Sequence, residues 1–251
     1  MKLGIIGGSG LEKLDIFKNP QDNVIDTPYG APSSPLLEGE ILGTQVVFLS
    51  RHGREHTIPP TQINNRANIW ALEYLGCNNI IATTACGSLR EEIGRSDMVI
   101  LDQFIDFTRF RKNTFMESFE PHKPIHCSMA EPFSDRLRNI IIESAGELSL
   151  PFHKTGTVIT IECPRFSTRA ESNMFRQWGA DVINMSTAPE CMLAKEATIP
   201  YAAIALSTDY DCWKTDEEPV SWEAIMEVFQ KNVVNVTQLL LKIIEKLTDG
   251  K

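Results

Sequence analysis

No run of the chain approaches the ~20 consecutive apolar residues that a membrane-spanning helix requires, and no excess of basic charge is present. Lys and Arg total 24 against 33 Asp and Glu, a formal net charge of -9. That balance disfavours a general binder of nucleic acid or anionic membrane, because both depend on a basic footprint. A small anionic substrate stays open, since it needs only a few local positive groups. Disulfide signals are missing as well. The six cysteines (Cys77, Cys86, Cys127, Cys163, Cys191, Cys212) are scattered without a C-x-x-C pair, which in a chain this long reads as reduced thiols of a cytoplasmic protein. The opening MKLGIIGGSG meets glycine too soon for a signal peptide and reads as a first strand. Linkers and internal repeats are absent too. What is present is an ordinary globular composition, 251 residues with 42% hydrophobic and 23% charged, which argues against a disordered, collagen-like or coiled-coil protein.

Strand and helix signals alternate along the whole chain. Leu3–Ile6 reads as a buried strand. Residues 24–50 read as a meander: a strand at Val24–Asp26, a Pro/Gly/Ser turn at 28–35, and a strand at Gln45–Ser50. Arg51–Pro60 is a loop. Apolar residues at helical spacing predict a helix over Asn65–Gly76, followed by strands at Asn79–Thr84 and Met98–Leu101. Residues 107–130 lack periodicity and read as one long irregular segment, which in a compact domain is often functional. Helices are expected at Arg136–Leu148, Arg169–Gly179, Pro189–Thr198 and Glu223–Leu247, with strands at Thr157–Ile161, Val182–Ile183 and Tyr201–Leu206. The order implies one α/β domain over 1–251, a mixed central β-sheet flanked by helices. In such sheets the site lies beyond the carboxyl ends of the strands.

The segments just after those strands carry the chemistry. Gly7-Gly8-Ser9-Gly10 is an anion-binding nest or simply a tight turn; spacing alone does not separate the two. It fails the dinucleotide fingerprint, the P-loop and the nucleophile elbow. Arg51-His52-Gly53-Arg54 offers the planar fork that suits a phosphate, against the bland reading of a solvated loop. His52/His56 and His122/His126 stand four apart, but prolines adjoin both pairs and neither has a H-E-x-x-H glutamate, so no metal is expected. Thr83–Ser88 is a floor of small residues for a ligand, and Cys86 within it reads as a buried thiol rather than a nucleophile. In Asp209-Tyr210-Asp211, extended chain would aim both carboxylates to one side, and their mutual repulsion would raise one pKa. A helix cap and a catalytic pair stand level there, with a divalent metal below them.

Taken together, GIIGGSGL, RHGREHTIPP, ANIWAL, TTACGSLREEIGRSDMVILDQFID, MAEPF, PRFSTRAES, WGADVINMSTAPE, LAKEA and STDYDCW run in order through nearly the whole chain. In them the chain resembles the trimer- or hexamer-forming purine nucleoside phosphorylases, most closely their 5'-methylthioadenosine phosphorylase branch. The resemblance implies phosphorolysis of 5'-methylthioadenosine to adenine and 5-methylthioribose 1-phosphate in purine and methionine salvage. The alternative within the family is a phosphorylase of adenosine or 6-oxopurine nucleosides. Outside it stand an NAD-dependent oxidoreductase, which the glycine spacing opposes, and a non-enzymatic nucleoside-binding module.

By that similarity Ser9, Arg51, His52, Thr84, Ala85 and Ser186 would hold phosphate. Met185 would lie against the ribose, and Ser167, Asp209 and Asp211 would meet the purine. Asp209 and His52 are the catalytic candidates, and Trp222 faces the 5' substituent where relatives carry a smaller residue. Inorganic phosphate is implied as co-substrate, with no other cofactor, no metal, no nucleic acid and no membrane. A homotrimer or homohexamer is implied, with 113–126, His126 among them, reaching a neighbouring site. Cys163 and Asn65 depart from the residues the family usually has there. The sequence stops at Lys251, so a C-terminal helix that covers the 5' side in some relatives is expected to be missing.

Overall fold

The computed structural model describes residues 1–7, 16–217 and 221–249. Among them eleven strands join in one mixed sheet: β1 (Lys2–Gly7), β2 (Lys18–Asn23), β3 (Leu36–Ile41), β4 (Thr44–Ser50), β5 (Asn79–Ser88), β6 (Met98–Ile100), β7 (Gln103–Phe107), β8 (Phe152–His153), β9 (Thr157–Ile161), β10 (Val182–Asn184) and β11 (Tyr201–Asp209). Five α-helices flank it: α1 (Asn65–Tyr74), α2 (Asp135–Glu147), α3 (Arg169–Gln177), α4 (Thr187–Glu196) and α5 (Trp222–Asp249). The apolar runs IIATTACGS and YAAIALSTD are buried almost throughout because β5 and β11 lie side by side at the centre, covered on both faces.

One face is covered by α1 and α4, which bury Ile69, Leu72, Cys191 and Leu193. The other is covered by α2 and α5 through Leu137, Ile141, Phe229, Leu239 and Ile243. α3 seats Phe175 against Ile159 and Ile161. Its start is fixed by a capping box in which Thr168 and Glu171 satisfy each other's backbone N–H. No helix among the described residues is long and apolar enough to cross a membrane, and the cysteines form no disulfide.

β5 changes partners along its length, and this opens the site. Along one edge it pairs parallel with β1, from Leu3↔Asn79 to Ile6↔Ala82, and then antiparallel with β10 at Ile183↔Gly87. Along the other edge it pairs with β11, whose register shifts between Ser207 and Asp209. The carboxyl ends of β1 and β10 therefore face each other along one edge of β5, with residues 83–86 between them, and the cleft opens there.

The strand expected at Val24–Asp26 is not there: the chain pairs instead at β2 and β3. β2 is the polar edge KNPQDN with its side chains in solvent, so it carries no apolar alternation to read. β7 and the two-residue β8 were likewise without a periodic signal. β5 and β11 run on to Ser88 and Asp209 beyond the expected ends, and α4 starts at Thr187 with a non-helical Ala188. The remaining strands and helices stand within a few residues of their expected bounds.

Candidate active site

β4 ends at Ser50, and the chain turns at once. Gly53 adopts φ +78°, a conformation open to glycine, and its N–H donates to Ser50 O at 3.1 Å. This turn sends Arg51 and His52 back into a cavity of about 340 Å³. Arg51 is 1% exposed, and its Nε and Nη2 donate side-on to Glu190 Oε2 and Oε1 at 2.8 and 3.0 Å, while Nη1 donates to Thr83 O at 2.9 Å. Burial works against the Arg51 charge, but the Glu190 carboxylate more than offsets it and holds the guanidinium firmly protonated. His52 Nδ1 lies 3.0 Å from Ile58 O; a carbonyl only accepts, so Nδ1 carries the proton.

Opposite the arginine, Thr84 on β5 and Ser186 at the N-cap of α4 share a hydrogen bond of 2.8 Å, and Asn184 Nδ2 donates to Thr84 Oγ1 at 3.2 Å. Arg51, His52, Thr84, Ala85 and Ser186 line one end of the cavity together. With a helix N-terminus and a cation converging, that end suits an anion. Ser9, expected here as well, lies outside the described residues.

The other end belongs to β11. Asp209 pairs with Gly87 and points its carboxylate across the strand; a Cβ built on Gly87 would stand 2.8 Å from Asp209 Oδ1. Asp209 accepts from Thr208 Oγ1 and from Asp211 N–H, both at 2.8 Å. Ser167 donates its hydroxyl to the Asp211 carboxylate at 2.6 Å. Asp209, Asp211, Ser167 and Met185 all line the cavity.

Two expectations about this pair are corrected in their reasons. The carboxylates do not converge through strand alternation: β11 ends at Asp209, and Asp211 sits in a turn with φ +48°, its N–H tied back to Asp209. Nor is repulsion the main influence on the acid. Burial pushes the Asp209 carboxyl up to about 6, hydrogen bonds from Thr208 and the Asp211 N–H pull it down, and the Asp211 charge adds a smaller rise.

Trp222 lines the rim, 46% exposed and tilted against His56 at 5.0 Å, and His56 in turn stacks on His52 at 4.5 Å. Ile225, one turn along α5, completes that wall. Burial raises the Cys86 thiol far above its ordinary value, which leaves it inert. His122 and His126 stand in the exposed 107–130 segment and do not reach the cavity. Among the described residues no group of three or more His, Cys, Asp or Glu is arranged to hold a metal.

Glu190, Tyr201 and Asn184 carry no signal in the sequence that marks them as site residues, whereas His56 and Gly87 stand in segments singled out there without a role of their own. Glu190 stands inside NMSTAPE and was visible as part of a motif, but nothing in its spacing points to an arginine 139 residues away.

The family model described as "Phosphorylase superfamily" matches residues 2–245. The S-methyl-5'-thioadenosine phosphorylase of Xenopus tropicalis is 52% identical over 250 residues, covering 98% of this chain and 89% of the relative. That of Drosophila melanogaster is 49% identical over 249 residues, covering 98% and 86%. A solved methylthioadenosine phosphorylase from Schistosoma mansoni in complex with adenine superposes with a TM-score of 0.94 at 42% identity, covering 99% of this chain and 92% of that one.

Proposed function

The chain belongs to the phosphorylase superfamily, and from that premise we propose that it cleaves 5'-methylthioadenosine with inorganic phosphate, giving adenine and 5-methylthioribose 1-phosphate. The observation that carries the reading is one cavity with an anion-suited end at Arg51, His52 and Ser186 and an acid pair, Asp209 and Asp211, at the other. A nucleoside laid between them has its glycosidic carbon facing the anion end and its purine facing the acids. Relatives about 50% identical over nearly the whole chain bear the name of that activity, which supports methylthioadenosine over adenosine or 6-oxopurine nucleosides.

Phosphate, held by Arg51, His52, Thr84, Ala85 and Ser186, attacks C1' as the bond to the purine breaks. Its charge stabilises the positive charge that develops on the sugar, where preorganised electrostatics act most strongly. The electron pair of the bond leaves with the base. Asp209, whose carboxyl holds its proton up to about pH 6, delivers it to N7. Asp211, oriented by Ser167, accepts from the 6-amino group, and Met185 covers the ribose. His52 orients the attacking phosphate, and Trp222 with His56 bounds the 5' substituent.

The reaction requires no organic cofactor and no metal, phosphate being a co-substrate. We read 1–251 as one catalytic domain, assembled into a homotrimer or homohexamer and serving purine and methionine salvage in the cytoplasm.

The test is release of free base from methylthioadenosine, adenosine and inosine, each with and without phosphate. Phosphate-dependent adenine release, fastest from methylthioadenosine, is expected. Phosphate-independent release would mean a hydrolase, and binding without release a non-catalytic module.

A further inference from the structure

Arg51 is a fully buried cation whose partner, Glu190, is itself 0% exposed and sits in the first turn of α4. Tyr201, the first residue of β11 and 2% exposed, donates its hydroxyl to Glu190 Oε1 at 2.6 Å. Burying both members of an ion pair is costly in solvation, and well-packed apolar residues of similar volume are often no less stable. The pair therefore calls for a purpose beyond cohesion, and its geometry supplies one.

A guanidinium has five N–H donors in a rigid plane. Glu190 takes Nε and one hydrogen of Nη2, and Thr83 O takes one of Nη1. One Nη1 hydrogen and one Nη2 hydrogen remain beyond these three, donors that an oxyanion in the cavity can accept from. The plane of that fork is set from behind. Arg51 cannot turn without breaking two charge-assisted bonds, and Glu190 cannot turn without losing Tyr201.

We propose that Glu190 and Tyr201 are positioning residues for phosphate, holding the Arg51 fork edge-on to the anion end of the cavity; this rests on the phosphorolytic reading above. Neither touches substrate. Tyr201 and Asp209 stand at opposite ends of β11, so one strand carries the outer member of the phosphate support and the acid of the base site. The role is independent of the purine and separates from it kinetically.

Glu190→Gln keeps the shape, but sets an amide NH2 against an Arg51 donor, so the fork must turn. Tyr201→Phe removes only the hydroxyl behind Glu190. A charge-assisted hydrogen bond corresponds to about 10–150-fold in an equilibrium and a neutral one to about 2–13-fold. We expect the phosphate KM to rise within the first range for Glu190→Gln and, because the Tyr201 hydroxyl acts on Arg51 only through Glu190, within the smaller second range for Tyr201→Phe, with the nucleoside KM within twofold of wild type in both. A merely structural role would lower the melting temperature and leave the phosphate KM in place.

Should Glu190→Gln fail to fold, Tyr201→Phe decides alone. Phosphate-saturable turnover in the wild type with an unchanged or lowered phosphate KM in the folded variants would overturn this inference and leave the proposed activity standing. Wild-type base release that ignores phosphate would overturn both.

Discussion

The acid at the base end is unusual among the carboxyl groups because its environment opposes its charge. Asp209 has its carboxyl raised from 3.8 to about 6, chiefly by burial. Between those two values the folded protein holds a proton that the unfolded chain has lost, so stability falls as pH rises through that window and stays lower above it. Asp209→Asn removes the penalty: at pH 7.5 the variant should be more stable by up to about 3 kcal/mol while its kcat drops by about 10²–10⁴-fold. Thermal unfolding and turnover measured on one preparation check both halves, and a destabilised but active variant would remove Asp209 from the role of acid. In the wild type the same group predicts that kcat/KM declines as pH rises through about 6, since only the protonated form donates. Asp211 acts differently, through acceptance alone. Asp211→Asn turns an acceptor into a donor toward the 6-position and should shift the ratio of kcat/KM for adenosine over inosine toward inosine by up to about 10⁴-fold; an unchanged ratio would sink the contact.

At the level of elements, the central strands and every α-helix were legible because each buries a continuous or helically spaced apolar face. β2 was not, because a polar edge strand with Pro20 is stabilised by backbone pairing to β3, which leaves no pattern in the side chains. At the site, Arg51 and Asp209 were legible because each stands at or just beyond a strand's carboxyl end; Thr84 lies inside β5, and Ser186, beyond β10, was marked only by the family resemblance. The Arg51–Glu190–Tyr201 network was not, since its members come from β4's turn, α4 and β11 and meet only through the fold. The crossing of β5, β10 and β11 makes its own demand at Gly87, where an added Cβ would meet Asp209 Oδ1 at 2.8 Å and Ile183 Cγ2 at 3.1 Å. Gly87→Ala must displace one of them, and the carboxylate is the freer. An error of ~1 Å at a reacting group costs about 10²-fold in rate, so kcat/KM should fall on that scale with the near-UV spectrum preserved. Wild-type kcat/KM in a folded Gly87→Ala protein would show that Asp209 tolerates a second position.

Over the whole molecule, the net charge of -9 opposes an incoming phosphate at long range, so binding rests on local presentation at Arg51. It also leaves association to apolar surface. The 107–130 segment is anchored on its inner side, where Glu196 accepts from Thr114 Oγ1 and Phe115 N–H and where Arg66 pairs with Glu117. On its outer side Phe110 is 81% exposed, Ile125 59% and Phe119 48%. A segment pinned to its own subunit while presenting large apolar side chains to water suits a neighbouring copy, and a ring closed by rotation brings the same segment to each neighbour in turn. On the proposed homotrimer or homohexamer, light scattering on a sizing column should give three or six times the mass of one chain. The double substitution Phe110→Glu, Ile125→Glu should shift the protein to monomer and, on the proposal that residues 113–126 reach the adjoining site, lower kcat/KM for methylthioadenosine. A monomeric wild type at micromolar concentration would overturn the assembly, and a monomeric double variant with wild-type kcat/KM would show each subunit's site to be complete on its own.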